Sequence, residues 1–165
     1  MKNKNLEYNI FILDVDGVMT DGKFYYTKSG KVMKKFGPDD NDALSMLSKL
    51  IDIRFISGDK KGFAISKKRI ETDMNYKIDL VSTTKRIDWI KKRYDPTKVM
   101  FMGDGIFDSY VMDEVGYSLC PNNSDISCVK KADYVTKRNG GDRAVSEACL
   151  HILSKFYNKN ISELL

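Results

Sequence analysis

Several common protein classes are excluded by what the chain of 165 residues lacks. The only histidine, His151, falls in a late predicted helix, where we expect it to pack or face solvent rather than catalyse. The three cysteines, Cys120, Cys128 and Cys149, are an odd number without metal-site spacing, so we expect reduced packing residues in a cytoplasmic protein. No apolar run is long enough for a membrane span or a signal peptide, so we expect no membrane partner. Linkers and repeats are also missing, which predicts one domain over residues 1–165.

The composition is that of a soluble globular domain, with 42% hydrophobic and 31% charged residues. The net charge is +5, from 28 basic and 23 acidic residues. The lysines are scattered rather than grouped, so a small phosphorylated substrate fits this charge as well as a polynucleotide does. No basic stripe with interleaved aromatic residues is present, so we expect no nucleic-acid partner. A nucleic-acid phosphatase stays an alternative because the sequence pI is about 9.0.

One short stretch combines an apolar run with two acidic residues: Ile10 to Leu13 is followed by Asp14-Val15-Asp16-Gly17. The run is typical of a buried central strand, and ionised carboxylates are costly at its end unless something pairs them. Alternation along a strand places Asp14 and Asp16 on the same side. Paired carboxylates at the carboxyl end of a parallel strand suit a hard cation, Mg²⁺ above all.

Strands alternate with helices along the rest of the chain, which predicts an α/β fold. We expect three Rossmann-like layers, with a parallel sheet and helices on both of its faces. The predicted strands span about 10–13, 54–57, 77–81, 99–103, 117–120 and 134–135, and a C-terminal helix and tail cover about 142–165.

A β-hairpin is predicted over residues 23–36, because two β-rich runs flank Ser29-Gly30. It is the only insertion, so there is no room for a second domain that closes over the strand ends. Its aromatic residues are too many to leave in water on both faces, so they should pack on the domain or on a partner subunit. They are Phe24, Tyr25, Tyr26 and Phe36.

Polar residues end three predicted strands, and in a parallel sheet these ends meet at one edge. They are Asp14 and Asp16, Ser57-Gly58, and Gly103-Asp104 with Asp108 four residues on. A helix that opens at Thr83 adds Lys85, with Lys77 and Arg86 as alternative cations. A carboxylate can attack phosphorus and a second one can transfer protons. A Ser hydroxyl and a Lys ammonium can hold the phosphoryl oxygens, and further carboxylates can hold Mg²⁺.

This set of motifs, in this order, resembles the haloacid-dehalogenase-like (HAD) superfamily of phosphohydrolases. The resemblance implies that Asp14 is the nucleophile and Asp16 the general acid/base, with Ser57 and Lys85 as phosphate binders. It implies that Mg²⁺ is held by side chains of Asp14 and Asp104 and by the backbone carbonyl of Asp16. Asp108 would orient the site, through the ligands around the metal or through Lys85.

A narrower resemblance covers nearly the whole chain. The run from Asp14 to Gly22, the hairpin in place of a cap domain and Gly140-Gly141-x-x-Ala144-Val145-x-Glu147 are similar to 3-deoxy-D-manno-octulosonate 8-phosphate (KDO-8-phosphate) phosphatases. They are also similar to the phosphatase-like domains of sialic-acid cytidylyltransferases. The resemblance implies a homotetramer with central hairpins, and a sugar phosphate as substrate in surface glycan synthesis.

The same resemblance names candidate substrate-binding residues, which are Asp40, Gly58, Asp59 and Arg69. Octulosonate phosphatases tend to have Gly-Arg where this chain has Gly58-Asp59. An acid there is more similar to members that act on nine-carbon, sialic-type sugar phosphates. The chain length of the substrate therefore stays open between eight and nine carbons.

Two other functions share part of this pattern. Receiver domains of two-component systems also place acids, a Ser or Thr and a Lys around Mg²⁺, although Asp-x-Asp on the first strand favours hydrolysis over storage of a phosphoryl group. A module that oligomerises a sugar-nucleotide synthetase, with weak phosphatase activity, is the other alternative. The intact motifs argue against lost chemistry.

Overall fold

The computed structural model describes residues 8–164, and its centre is a six-stranded sheet in which every neighbouring pair of strands is parallel. The strands are β1 (Ile10–Asp14), β4 (Asp52–Ser57), β5 (Lys77–Leu80), β6 (Val99–Met102), β7 (Tyr117–Cys120) and β8 (Tyr134–Val135). Their spatial order across the sheet is β5-β4-β1-β6-β7-β8. The expected parallel sheet is confirmed. Because β1 lies between β4 and β6, the carboxyl ends of these three strands are adjacent.

Each face of the sheet has its own apolar core. Phe11 and Leu13 of β1 point to one core, whereas Ile10 and Ile12 point to the other, as the alternation of a strand requires. Helices α1 (Asp39–Leu47) and α6 (Ala144–Tyr157) cover the first face. Helices α3 (Arg86–Lys91), α4 (Asp108–Met112) and α5 (Ile126–Lys131) cover the second. The expected three layers are therefore present.

The hairpin forms a separate two-stranded sheet of β2 (Tyr25–Thr27) and β3 (Gly30–Met33). Its aromatic residues differ in burial: Phe36 packs against the first core, whereas Tyr26 is 62% exposed. Phe24 and Tyr25 are also exposed, as are Val32 and Met33 of β3. Within one chain, most of the apolar surface of the hairpin is thus left uncovered.

Two α-helices adjoin segments of a different helical type. Helix α2 (Phe63–Lys67) continues as a π-helical segment, Lys68–Asp73. A 3₁₀ turn, Thr83–Lys85, precedes α3, so the α-helix begins at Arg86 rather than at Thr83. Within residues 8–164 no helix has the length and apolarity that crossing a bilayer requires.

The residues expected to serve only in packing do so. The ring of His151 is stacked on Tyr134 with 3.6 Å between ring centroids, and its Nε2 lies 2.8 Å from the hydroxyl of Tyr117. All three cysteines are free and buried. Leu50, in contrast, is exposed, because α1 ends before it.

Candidate active site

The site begins at the loop that follows β1, which is held in shape by its own hydrogen bonds. The backbone N–H groups of Met19 and Thr20 donate to the carbonyl of Val15, while the Thr20 hydroxyl accepts from Gly17 and Gly22 at 3.2 Å. Asp14, at the end of the strand, is buried, and one carboxylate oxygen accepts a 2.7 Å bond from the N–H of Val15. The loop therefore fixes the direction in which Asp14 points.

Gly17 allows the loops that follow β1 and β6 to approach each other. Its φ angle is +90°, and a Cβ atom there would overlap the carboxylate of Asp104. Only a glycine satisfies both conditions without strain. Asp104 follows β6, so this close approach brings its carboxylate to the β1 loop.

Arg86 lies between two acids at the base of the site. Its guanidinium donates to Asp14 Oδ2 at 2.8 Å and also to Asp108 Oδ1, and all three side chains are almost fully buried. The second oxygen of Asp108 accepts the backbone N–H groups of Asp104 and Gly105, at 3.1 and 3.0 Å. Asp108 thus connects Arg86 to the loop that carries Asp104.

The carboxylates of Asp14, Asp104 and Asp108 lie within 4.8 Å of one another. Burial raises the pKa of Asp14 well above its usual range, although Arg86 opposes the shift. Burial, reinforced by the negative charges of Asp14 and Asp108, raises the pKa of Asp104 to about 8. Among residues 8–164, no hydrogen-bond donor or cation contacts the Asp104 carboxylate. These hard oxygen ligands fit a divalent cation such as Mg²⁺, which would stabilise their ionised forms.

Asp16 is held separately from this cluster. Its Oδ2 accepts a 3.1 Å hydrogen bond from the hydroxyl of Ser57, which in turn accepts the N–H of Asp59. Its Oδ1 lies 2.7 Å from Lys34 Nζ. The two atoms form an ion pair, but their geometry is not that of a hydrogen bond. The second strand end and the hairpin therefore both contact this carboxylate.

These groups surround an open cavity of about 250 Å³ at the carboxyl edge of the sheet. Asp14, Asp16 and Asp104 line it together with Arg86. Polar and apolar residues line the rest of the cavity, including Phe24, Gly58, Asp59, Ile106 and Phe107. The carboxylates of Asp14 and Asp16 and the fixed guanidinium of Arg86 thus face one space.

Comparison with known proteins identifies the family. The 3-deoxy-D-manno-octulosonate 8-phosphate phosphatase KdsC of Escherichia coli strain K12 is 32% identical to this chain over 145 residues, which is 85% of this chain and 76% of that protein. The chain belongs to the KdsC family of HAD phosphatases. No family model matches the sequence.

Solved structures agree with this assignment. The cobalt-bound KDO-8-phosphate phosphatase YrbI of Haemophilus influenzae has a TM-score of 0.80 at 25% identity, over 94% of this chain and 92% of that one. The Moraxella catarrhalis phosphatase, in complex with magnesium, phosphate and KDO, has a TM-score of 0.77 at 26% identity, over 94% and 91% of the two chains. The protein is therefore a phosphatase with the HAD fold.

The cation of the site is not the one that we expected from the resemblance to the HAD superfamily. The side chain of Lys85 is 70% exposed and its ammonium lies 3.5 Å from Asp88, outside the cavity. Arg86, an alternative in the sequence, is buried between the two acids instead. The 3₁₀ turn before α3 is the reason, because the first residue of the α-helix is the one that faces the strand ends. The assignment of Lys85 is thus corrected to Arg86.

Two residues expected to bind substrate lie elsewhere. Asp40 is buried between α1 and α6, where it accepts a 2.8 Å hydrogen bond from the N–H of Ser146. Arg69 donates to the carbonyl of Gly37 at 3.4 Å and does not line the cavity. Neither residue lines the cavity, so their placement in this chain does not support direct substrate contact.

Gly58 and Asp59 do line the cavity. The Asp59 carboxylate, however, is already bound: Oδ2 pairs with Lys31 at 2.5 Å and Lys34 at 2.8 Å, while Oδ1 accepts the N–H of Gly62. Burial alone would raise its pKa, but hydrogen bonds from the two lysines hold the pKa of Asp59 at about 2. Its role in substrate recognition stays a prediction.

Lys31 and Lys34 are the residues that reasoning from the sequence missed. They lie three positions apart, so a regular strand would place them on opposite faces. The strand β3 ends at Met33, and Lys34 turns inward after it. No periodicity or motif in the sequence indicates this, because the contact depends on how the hairpin folds back over the sheet.

Proposed function

We propose that the protein is a Mg²⁺-dependent phosphomonoesterase that hydrolyses an acidic sugar phosphate through an aspartyl-phosphate on Asp14. The observation that carries the proposal is the cavity in which Asp14, Asp16 and Arg86 converge at the carboxyl edge of the sheet. Its relatives are named for the hydrolysis of such an ester, KDO-8-phosphate. The position of each group fits one part of that reaction.

In the first step an oxygen of Asp14 attacks phosphorus, and the bond from phosphorus to the sugar oxygen breaks. Arg86 holds the nucleophile in place and offers positive charge to the phosphoryl oxygens. Asp16 donates a proton to the departing oxygen. In the second step Asp16 takes a proton from water, whose oxygen attacks phosphorus and releases Asp14 and inorganic phosphate. Ser57 holds Asp16 in the position that both steps need.

Asp14, Asp104 and the backbone carbonyl of Asp16 would hold the metal. When bound, Mg²⁺ supplies positive charge that offsets the repulsion between an anionic nucleophile and a phosphate. The donors are carboxylates of the kind that this cation prefers, and the KdsC-type structure from M. catarrhalis contains magnesium. Asp108 has both oxygens engaged, so it orients Arg86 and the Asp104 loop instead.

The substrate is an eight-carbon KDO-8-phosphate or a nine-carbon, sialic-type ulosonate 9-phosphate. The first is the substrate in the names of the relatives. The second is favoured by the acid at position 59, next to Gly58 at the cavity wall.

We further propose a homotetramer in the cytoplasm. The exposed apolar side chains of the hairpin, Phe24, Tyr25, Tyr26, Val32 and Met33, would be covered by contacts between subunits. The free, buried thiols fit a reducing compartment. Light scattering of the purified protein tests the assembly, and a monomeric mass would contradict it. Replacing Tyr26 and Met33 with Ser should dissociate the oligomer if the hairpins form the contact.

Release of phosphate tests the function. We would supply KDO-8-phosphate, nine-carbon ulosonate 9-phosphates, hexose phosphates and a 3′-phosphorylated oligonucleotide, each with Mg²⁺ and with EDTA. Strong Mg²⁺-dependent release from one ulosonate phosphate is expected. Asp14→Asn should abolish it while the thermal unfolding transition is retained. Slow release from every compound would favour the oligomerisation module, and normal activity of Asp14→Asn would contradict the mechanism.

A further inference from the structure

The hairpin is joined to the active site by two buried lysines. The side chain of Lys34 has no exposed surface, and its ammonium contacts Asp16 at 2.7 Å, Asp59 at 2.8 Å and Ser66 Oγ at 2.8 Å. The side chain of Lys31 is 4% exposed and pairs with the same oxygen of Asp59. We call Lys31, Lys34 and Asp59 the lysine clamp.

The clamp is tightly enclosed. The ammonium of Lys31 lies 3.2 Å from the centre of the Phe24 ring, in the range of a cation–π contact. A Cβ atom on Gly62 would overlap Asp59 Oδ2 and would lie 2.7 Å from Lys31 Cδ, so the two ion pairs occupy the space that a side chain at Gly62 would fill. Side chains packed this closely have little freedom to move.

We propose that Lys34 is a positioning residue for Asp16, and that it fixes the orientation in which the Asp16 carboxylate exchanges protons. Asp16 is held from two sides, by Ser57 at Oδ2 and by Lys34 at Oδ1. With Ser57 alone, the carboxylate could turn about its last side-chain bond, for which the torsional preference is broad. The clamp removes that freedom because Asp59 and Ser66 hold the ammonium from behind. This inference rests on the proposed function.

The two steps of the reaction respond differently to a misplaced Asp16. With a sugar phosphate, breaking the bond to the sugar oxygen needs the Asp16 proton, so the first step slows. p-Nitrophenolate leaves without protonation, so with p-nitrophenyl phosphate only the second step slows, in which Asp16 takes a proton from water. Phosphorylated Asp14 then accumulates, and one equivalent of nitrophenolate appears in a burst before slow turnover.

The experiment compares Lys34→Met and Lys34→Arg with the wild-type chain, using p-nitrophenyl phosphate and Mg²⁺ in a stopped-flow instrument. Methionine removes the ammonium, and arginine keeps the charge but cannot place a nitrogen at the same point in an enclosed space. We expect a burst of nitrophenolate in both variants, with kcat lowered about 100-fold in Lys34→Met. The exposed neighbour Lys35 gives the control, and Lys35→Met should show wild-type kinetics.

A double variant separates positioning from support of the fold. Asp16→Asn should show the same burst, and adding Lys34→Met to it should lower kcat no further, because both changes remove one function. A folded Lys34 variant with a linear, wild-type time course would overturn the proposal, as would an additional loss in the double variant. If Lys34→Met does not fold, Lys34→Arg decides by the same criterion. A wild-type chain that releases no phosphate from any ester overturns the proposed function, and this inference with it.

Discussion

The guanidinium of Arg86 donates a 2.8 Å hydrogen bond to the carboxylate of Asp14, and both side chains are almost fully buried. The same guanidinium bonds to Asp108, which holds the loop of Asp104 through its backbone N–H groups. One cation thus joins the ends of β1 and β6. Because both of its partners are buried acids, Arg86 and any bound metal offset the repulsion between them.

Arg86→Met should lower both stability and activity. Removal of one partner from a buried ion pair costs about 3 kcal/mol or more, since Asp14 and Asp108 lose the cation that pairs with them. Thermal unfolding and phosphate release would be measured beside Lys85→Met, which alters an exposed side chain and should behave as wild type. Loss of activity in Lys85→Met with activity kept in Arg86→Met would restore the original assignment of the site cation.

Mg²⁺ should stabilise the protein through Asp104. A ligand at one hundred times its Kd adds about 2.7 kcal/mol to the free energy of unfolding. Asp104→Asn should abolish this increase, yet stabilise the metal-free chain, because it removes a carboxyl group whose ionisation is opposed by burial and by the charges of Asp14 and Asp108. Denaturant titrations with and without Mg²⁺ measure both effects. Asp42→Asn is the control at an exposed position, and equal Mg²⁺ stabilisation of both variants would contradict the metal site.

Asp40 should make stability depend on pH. Burial raises the pKa of Asp40 from 3.8 to about 6. The charges of Asp39 and Asp142 also raise this pKa, whereas the hydrogen bond from Ser146 and the charge of Arg143 lower it. The folded chain then binds a proton more tightly than the unfolded chain does. The contribution of protonated Asp40 to the free energy of unfolding is therefore complete below pH 4. It is lost as the pH rises through 6, and the loss is about 3 kcal/mol at most.

Asp40→Asn isolates this effect, because Asn keeps an acceptor for Ser146 and does not titrate. As the pH rises from 4 to 7, the free energy of unfolding of the wild type should fall relative to that of the variant. A difference that stays constant over this range would show that Asp40 keeps its usual pKa in the folded chain.

Gly140→Ala should disturb the loop that carries Asp16. A Cβ atom at Gly140 would overlap the carbonyl oxygen of Gly17, directly after Asp16. Overpacking of this kind costs about 2 kcal/mol, and displacement of the loop should lower kcat as well. Gly37→Ala is the matched control, since its nearest new contact would lie at 4.0 Å. Wild-type kcat and stability in Gly140→Ala would show that the loop adjusts freely.

Local patterns predicted the architecture and the acidic part of the site. Apolar runs that end in Asp14, Ser57 and Asp104 indicate strands and the edge at which they end, and the strands were found as expected. Parallel pairing then brings those ends together without further information. The pairing order β5-β4-β1-β6 places the three functional ends on adjacent strands.

The cation and the hairpin contacts could not be obtained in this way. Lys85 and Arg86 are adjacent, and a helix turns by about 100° per residue, so a turn of 3₁₀ helix decides which of them faces the acids. Asp40 and Asp59 look alike in the sequence as acids in turns, yet one binds Ser146 and the other binds two lysines.

What the sequence by itself determined is therefore the parallel sheet and the identity of the acids at its edge, because strand periodicity and strand ends are local properties. Only the tertiary structure decided that Arg86 is the buried cation and that Lys34 contacts Asp16 across 18 positions of the chain. Such pairs depend on the packing of distant segments, and the free energy that selects them arises only when burial removes water from both partners.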